Sequence, residues 1–222
     1  MNKLFTNFDS STKEKWIKKI KIDLNNKIHK LESNAEGIKI KPILHADDNF
    51  KTYNCNFPST WINYQFVDAK NAKNANISAI EAIQNNVSGL CFANPNNLEV
   101  LLKNISIKDI RIDFQNYTPN FIEEWKKFSK NKNVKGAFHG CTDIDTPNYF
   151  DTIEVEGTIK EQINNALKKG LESTKEVQFH FKIGKNFFIE IAKLKAFRIL
   201  WKDKTGKDAF IFTSNYQLSK DE

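Results

Sequence analysis

Arginine is nearly missing. Arg111 and Arg198 are the only two among 34 Lys and Arg in a chain of 222 residues with a net charge of +7. A basic balance invites a phosphate-binding reading, because clustered cations gain from counterion release. Arginine, however, is the side chain that forks onto phosphates and base edges. The lysines are dispersed among Asp, Glu and Asn, as in KEKWIKKIKIDLNNKIHK. The charge therefore predicts a solvated Lys/Asn surface with no nucleic-acid partner, the alternative being weak, non-specific anion binding. Cysteine is scarce too. Cys55, Cys91 and Cys141 are odd in number and form no C-x-x-C pair, which argues against a disulfide framework or structural zinc and points to a reducing compartment. No window reaches the roughly 20 apolar residues that span a bilayer, and MNKLFTNFDSSTKEKW has no signal-peptide core. A cytoplasmic chain with no membrane partner is expected.

What is present has two rhythms. Residues 1–55 predict an amino-terminal arm. Trp16, Ile17, Ile20 and Leu24 recur near helical spacing, with Ser11 and Glu14 placed for a capping box. Phe5 and Phe8 lie just ahead and must find a surface to cover. In NAEGIKIKPILHADD, alternation after Gly37 predicts a strand that stops near Pro42. Residues 56–222 alternate short apolar runs with helical patterns. The expected strands are SGLCFA, IRIDF, VKGAFHG, TIEVEG, VQFHFKIG and DAFIFTS, and the expected helices ANISAIEAIQNN, PNNLEVLLKN, NFIEEWKKFSKN and IKEQINNALKKG, the last ending on Gly170. Strand–helix alternation implies parallel pairing through right-handed crossovers. The fold class is α/β, a TIM-type (β/α) barrel that is incomplete, because six strands fall short of the eight a closed barrel needs.

GKNFFIEIAKLKAFRILW, residues 184–201, carries eleven apolar side chains in eighteen positions. Burial of Phe187, Phe188, Ile191, Leu194, Phe197, Leu200 and Trp201 would be worth on the order of 10–20 kcal/mol. Such a helix is expected to be covered on more than one face, by its barrel and neighbouring helices or, over Phe197 or Trp201, by a second chain. Glu190 and Lys193 would pair on the remaining polar strip. Among reactive residues, His139 and Cys141 stand two apart after a strand without an evident orienting partner. Asp143 and Asp145 could join His139 around a cation or form a plain polar loop, and His180 points opposite to Phe179 and Phe181.

HFKIGKNFFIEIAKLKAFRILW, His180 to Trp201, closely resembles the signature segment of the methylmalonyl-CoA mutase family, where a Phe-rich strand leads through a G-x-x-F/Y-F turn into E-I-A-K-L-R-A-A-R-x-L-W. Looser resemblances follow in family order: FDSSTKEKWIKKIKIDL to the partner-wrapping segment, AEGIKIKPILHADD to the stretch after it, TWINYQ to the W-x-I-R-Q lead-in to the barrel, and FIFTSNYQLSKDE to the late T-S segment. The amino-terminal pieces are more similar to the small subunit of the two-chain bacterial enzyme than to its catalytic partner.

The resemblance implies a barrel around an acyl-CoA thread in the catalytic chain, facing a cobalamin domain, and a related, non-catalytic small subunit. The cobalamin signature D-x-H-x-x-G is not found: the residues two before the four histidines are Lys27, Ile43, Ala137 and Gln178. Where catalytic chains carry a Tyr-His pair, this chain has Thr158, Ile159 and Lys160. The late His and Gln correspond to Phe210 and Phe212, and the substrate-binding Tyr and Arg residues to Asn56, Ser59 and Asn63 or Tyr64. The expectation is a small-subunit-like chain, itself without catalytic, cofactor or metal residues. It would bind a large catalytic subunit carrying adenosylcobalamin through Phe5, Phe8, Trp16, Phe197 and Trp201. The alternatives are a stand-alone α/β barrel enzyme using groups such as His139, Cys141 and Asp143, and a fold that has outlived its function.

Overall fold

The computed structural model describes residues 11–45, 48, 60–140 and 149–215. The chain divides into two compact units, Met1–Asn54 and Cys55–Glu222. In the first, α1 (Lys13–Asp23) starts at Thr12, whose hydroxyl accepts from the Lys15 amide at 3.3 Å. The cap is therefore Thr12, one residue later than Ser11. A 3₁₀ turn (Ile28–Leu31) leads into a hairpin of β1 (Ser33–Ala35) and β2 (Ile38–Ile40). Its two-residue turn puts Glu36 and Gly37 at φ 50° and 82°, the left-handed pair that matches strand twist. The strand ends before Pro42, as its alternation suggested.

The second unit is a curled parallel sheet of seven strands in chain order: β3 (Tyr64–Asp68), β4 (Gly89–Ala93), β5 (Arg111–Gln115), β6 (Gly136–Phe138), β7 (Tyr149–Val155), β8 (Val177–Ile183) and β9 (Phe210–Asn215). The α/β class and the incomplete barrel are as expected, with one more strand than the six apolar runs. The addition is β3, where Gln65 and Asp68 interrupt the apolar pattern. The crossover helices are α2 (Ala72–Gln84), α3 (Leu98–Leu101), α4 (Pro119–Ser129), α5 (Ile159–Glu172) and α6 (Phe187–Thr205). PNNLEVLLKN yields only the single turn of α3, because Asn104 turns into the left-handed region at φ 61°.

Asparagine carries much of the local geometry. Asn71, Asn97 and Asn186 cap α2, α3 and α6, each accepting from the amide three residues on. Eight further or shared asparagines, Asn25, Asn26, Asn86, Asn94, Asn97, Asn104, Asn116 and Asn131, take positive φ, a conformation that their short polar side chains tolerate. This is how a chain with only eight glycines makes its turns.

One sheet face packs against the helices. Leu90, Phe92, Ile112, Phe114 and Phe138 meet Leu101, Phe121 and Trp125, with Phe114 edge-on to Trp125 at 4.8 Å. Further along, Ile153, Val155, Phe179 and Phe181 meet Ala166, Phe197 and Trp201. Two glycines are required by close approach. A Cβ on Gly136 would lie 1.7 Å from the Ile112 carbonyl oxygen across the β5–β6 pair, and one on Gly170 would lie 2.7 Å from Trp201 and 2.8 Å from Phe179. Gly170 is thus not the end of α5, which runs on to Glu172. It is the notch into which α6 packs.

α6 differs from the sequence reading in its polarity. Lys193, placed on an exposed strip by its spacing, is 2% exposed. It pairs with Glu190 at 2.5 Å and donates to Gln162 Oε1 at 3.0 Å and the Lys182 carbonyl at 3.2 Å. A buried ammonium with three oxygen partners is well placed to tie α6 to α5 and to the end of β8. The apolar residues at the start of the helix face outward instead: Phe187 and Phe188 are 68% and 81% exposed, and Ile191 half-exposed.

Candidate functional site

Strand side chains alternate, so the face turned away from the helices is lined by the other half of each strand. It receives Tyr64 from β3, Cys91 from β4, Arg111 and Asp113 from β5, Phe150, Thr152 and Glu154 from β7, Gln178 and His180 from β8, and Phe210, Phe212 and Ser214 from β9. His139 follows β6 directly. This concave face is where the buried charge of the unit is concentrated.

Asp113 is its hub. Fully buried, it accepts at Oδ1 from the Tyr64 hydroxyl (3.1 Å) and the Ala137 amide (3.0 Å), and at Oδ2 from Gln178 Nε2 (3.2 Å) and His139 Nε2 (3.0 Å). Arg111 Nε stands 3.5 Å from Oδ1. Arg111 Nη2 donates to the Gly136 carbonyl (3.1 Å) and to Gln178 Oε1 (3.0 Å), so Gln178 bridges the ion pair. The guanidinium lies against the rings of Phe150 and Phe210, 4.8 and 4.3 Å from their centroids, and the two rings touch each other at 5.1 Å. Burial, reinforced by the Asp113 charge, pushes the Tyr64 phenol well above its ordinary value and keeps it a donor. Burial, and then Asp113, likewise pushes up the Cys91 thiol, which leaves it a poor nucleophile.

Toward the carboxyl ends of the strands, His139, Glu154 and His180 bring one donor atom each within 4.8 Å of one another. The register that pairs Glu154 with His180 across β7 and β8 sets His180 Nδ1 3.6 Å from Glu154 Oε1, while His180 Nε2 meets Ser214 Oγ at 2.8 Å. The neighbouring His180 imidazole holds the Glu154 carboxyl below its usual value. A carboxylate only accepts, so the bond to Asp113 places the proton of His139 on Nε2. Its Nδ1 is then a lone-pair nitrogen, buried and without a partner among the described residues. The Phe212 ring sits edge-on to both imidazoles, at 4.8 and 5.0 Å.

The sequence-selected residues are placed as follows. His139 and His180 converge, and the orienting group that His139 lacked in sequence is Asp113. Cys141, Asp143 and Asp145 lie outside the described residues, as do Phe5, Phe8, Asn56 and Ser59. Trp16 is half-buried on α1. Phe197 is fully buried and Trp201 nearly so, both turned onto Phe179 in the core, so within this unit they serve packing. Thr158 caps α5 in a reciprocal box with Glu161, and Ile159 and Lys160 open its first turn. Asp113, Arg111, Gln178 and Glu154 were not singled out from the sequence. Their signal was polar residues at period two inside apolar strands, as in IRIDF.

The strand, helix and strand around α6 carry a family likeness. Residues 156–216 match the family model of methylmalonyl-CoA mutase. The matched span takes in α5, β8, α6 and β9, and supports the mutase family on the segment whose signature the chain resembles. A comparison with curated proteins finds no match. Of the three converging residues on the concave face, His180 lies inside the mutase-like span, while Glu154 and His139 precede it.

Proposed function

We propose that the chain is a small-subunit-like, non-catalytic component of a methylmalonyl-CoA mutase complex. It would support a large catalytic chain that carries adenosylcobalamin and interconverts methylmalonyl-CoA and succinyl-CoA. The observation that carries this reading is the filling of the concave face, where the family resemblance puts the acyl-CoA thread. Phe150 and Phe210, in contact with each other, together cover Arg111, and Tyr64 and Phe212 meet edge-on at 5.0 Å. Phe210 and Phe212 stand at the positions that correspond to the late His and Gln of catalytic chains.

Support for a partner comes from α6. Phe187, Phe188 and Ile191 expose apolar surface within the mutase-like span, and contiguous exposed apolar residues mark interaction sites. These exposed side chains of α6 are suited to an interface. Co-expression with a cobalamin-binding mutase chain should yield a complex on size exclusion, and Phe188→Asp should weaken it without unfolding the subunit. A monomer that ignores that partner in pull-down and size exclusion refutes the proposal. One observation favours the second reading, a stand-alone enzyme: Asp113 orients His139 as a general base is oriented. Turnover by the lone chain, lost in His139→Gln, would establish that reading instead.

A further inference from the structure

We infer that His139, Glu154 and His180 form a binding site for a divalent transition-metal ion, with two imidazoles and one carboxylate as ligands. Three features make this more than a cluster of titratable groups. The donors come from three neighbouring strands, just after β6, near the end of β7 and in the middle of β8, and one atom of each already lies within 4.8 Å of the others. His139 presents a buried, unpartnered Nδ1, and an isolated lone pair removed from water is costly to maintain unless something occupies it. Each imidazole is also held from behind through its other nitrogen, His139 by Asp113 at 3.0 Å and His180 by Ser214 at 2.8 Å. Such outer hydrogen bonds fix the tautomer and orientation of metal-bound histidines.

The adjustment needed is small. Bonds of about 2.0–2.2 Å in a tetrahedral shell place neighbouring donors about 3–3.5 Å apart. His180 Nδ1 and Glu154 Oε1, at 3.6 Å, are nearly there. The Glu154 side chain is 42% exposed and free to swing toward the ion, while the histidines are held by packing against Phe212. Two nitrogens and one carboxylate suit zinc, cobalt or iron(II) better than magnesium or calcium, which take oxygen sets. Three protein ligands leave at least one coordination position for water or a small ligand, on the side where Glu154 meets solvent. The site is independent of the mutase reading, since two of its three ligands precede the matched span.

The test uses the untagged full chain, cleared of metal with a chelator and titrated with Zn²⁺ by calorimetry and with Co²⁺ by visible absorption. One ion per chain is expected, with micromolar or tighter affinity and a Co²⁺ spectrum of low coordination number. Removing a ligand in Glu154→Gln or His180→Asn should abolish stoichiometric binding. Ser214→Ala, which leaves every ligand in place, should weaken it by about 10-fold or more. Circular dichroism of each variant separates lost binding from lost folding, and Glu154→Gln alters a partly exposed side chain. Unchanged affinity in Glu154→Gln overturns the assignment. So does loss of binding in a His29→Asn, His45→Asn double variant, Mg²⁺ binding as tight as Zn²⁺ binding, or no stoichiometric binding at all.

Discussion

Two phenylalanines of one helix should behave in opposite ways. Phe197 is fully buried, edge-on to Phe179 at 4.7 Å and Phe181 at 5.0 Å, and stacked over Trp201 at 6.3 Å. Truncating a buried Phe costs about 3–5 kcal/mol through lost burial and the cavity left behind. The upper part of that range applies here, because rings fixed by their strands cannot collapse into the gap. Phe188 is 81% exposed, and surface truncations generally change stability by no more than about 0.5 kcal/mol. With a urea slope of about 2–3 kcal/mol/M, Phe197→Ala should lower the midpoint by roughly 1.5–2 M, while Phe188→Ala should leave it in place. Urea denaturation followed by far-ultraviolet circular dichroism measures both. If Phe188→Ala shifted the midpoint as far as Phe197→Ala, α6 would present a different face to the sheet. The exposed patch would then be core, and the interface assigned to it would fail.

Other outcomes follow from the same contacts. Gly170→Ala replaces the poorest non-proline helix former with the best, yet its Cβ would sit 2.7 Å from Trp201 and 2.8 Å from Phe179. The expected result is therefore a net loss of about 1–3 kcal/mol from overpacking, read as a lower melting temperature, and stabilisation would contradict the close approach. The Glu161 carboxyl is held below its ordinary value by hydrogen bonds from the Thr158 backbone and side chain. A depressed acid contributes stability above its unfolded pKa and loses it as pH falls through its folded pKa. The stability gap between the native chain and Glu161→Gln should be fully present at pH 6–7 and shrink below pH 4.5; a gap that widened on acidification would refute the capping box.

Local order was legible because it is local. The helix of Trp16, Ile17 and Ile20, the strand that stops before Pro42 and the alternation of short apolar strands with helices can each be read within a few residues. Rotation of α6 about its axis was not, because eleven apolar residues fit several orientations. Only the notch at Gly170 and the oxygens around Lys193 select the one that buries a lysine and exposes Phe188. β3 escaped a pattern based on apolar runs because Tyr64 reaches Asp113 through its hydroxyl, a contact that tolerates the polar residues beside it. On the concave face, the period-two placement of Arg111, Asp113, His139 and His180 was available, but their convergence was not. It depends on the β7–β8 register that sets Glu154 opposite His180 and on Gly136, which admits β6 close to β5.

The seven-stranded sheet raises the question of how an incomplete barrel keeps its interior. In a closed barrel, layers of side chains from alternate strands fill the centre. Here the first and last strands do not pair, yet the sheet curls far enough for Tyr64 of β3 to meet Phe212 of β9. Phe212 also abuts both imidazoles, while the touching rings of Phe210 and Phe150 together cover Arg111. Aromatic side chains thus do laterally what an eighth strand would do through its backbone, and they enclose charged groups that would be costly to strand without partners. A cleft of about 1060 Å³ remains between Thr60–Tyr64 and the Asp208–Thr213 edge, with Arg198 at its wall donating to the Ala209 carbonyl. Unpaired strand edges are normally blunted or covered, and this cleft is bounded by both. The polar network therefore has two roles that the sequence alone did not connect: it fills the interior of the curled sheet, and it holds His139 at the rim in the one tautomer that leaves a nitrogen free.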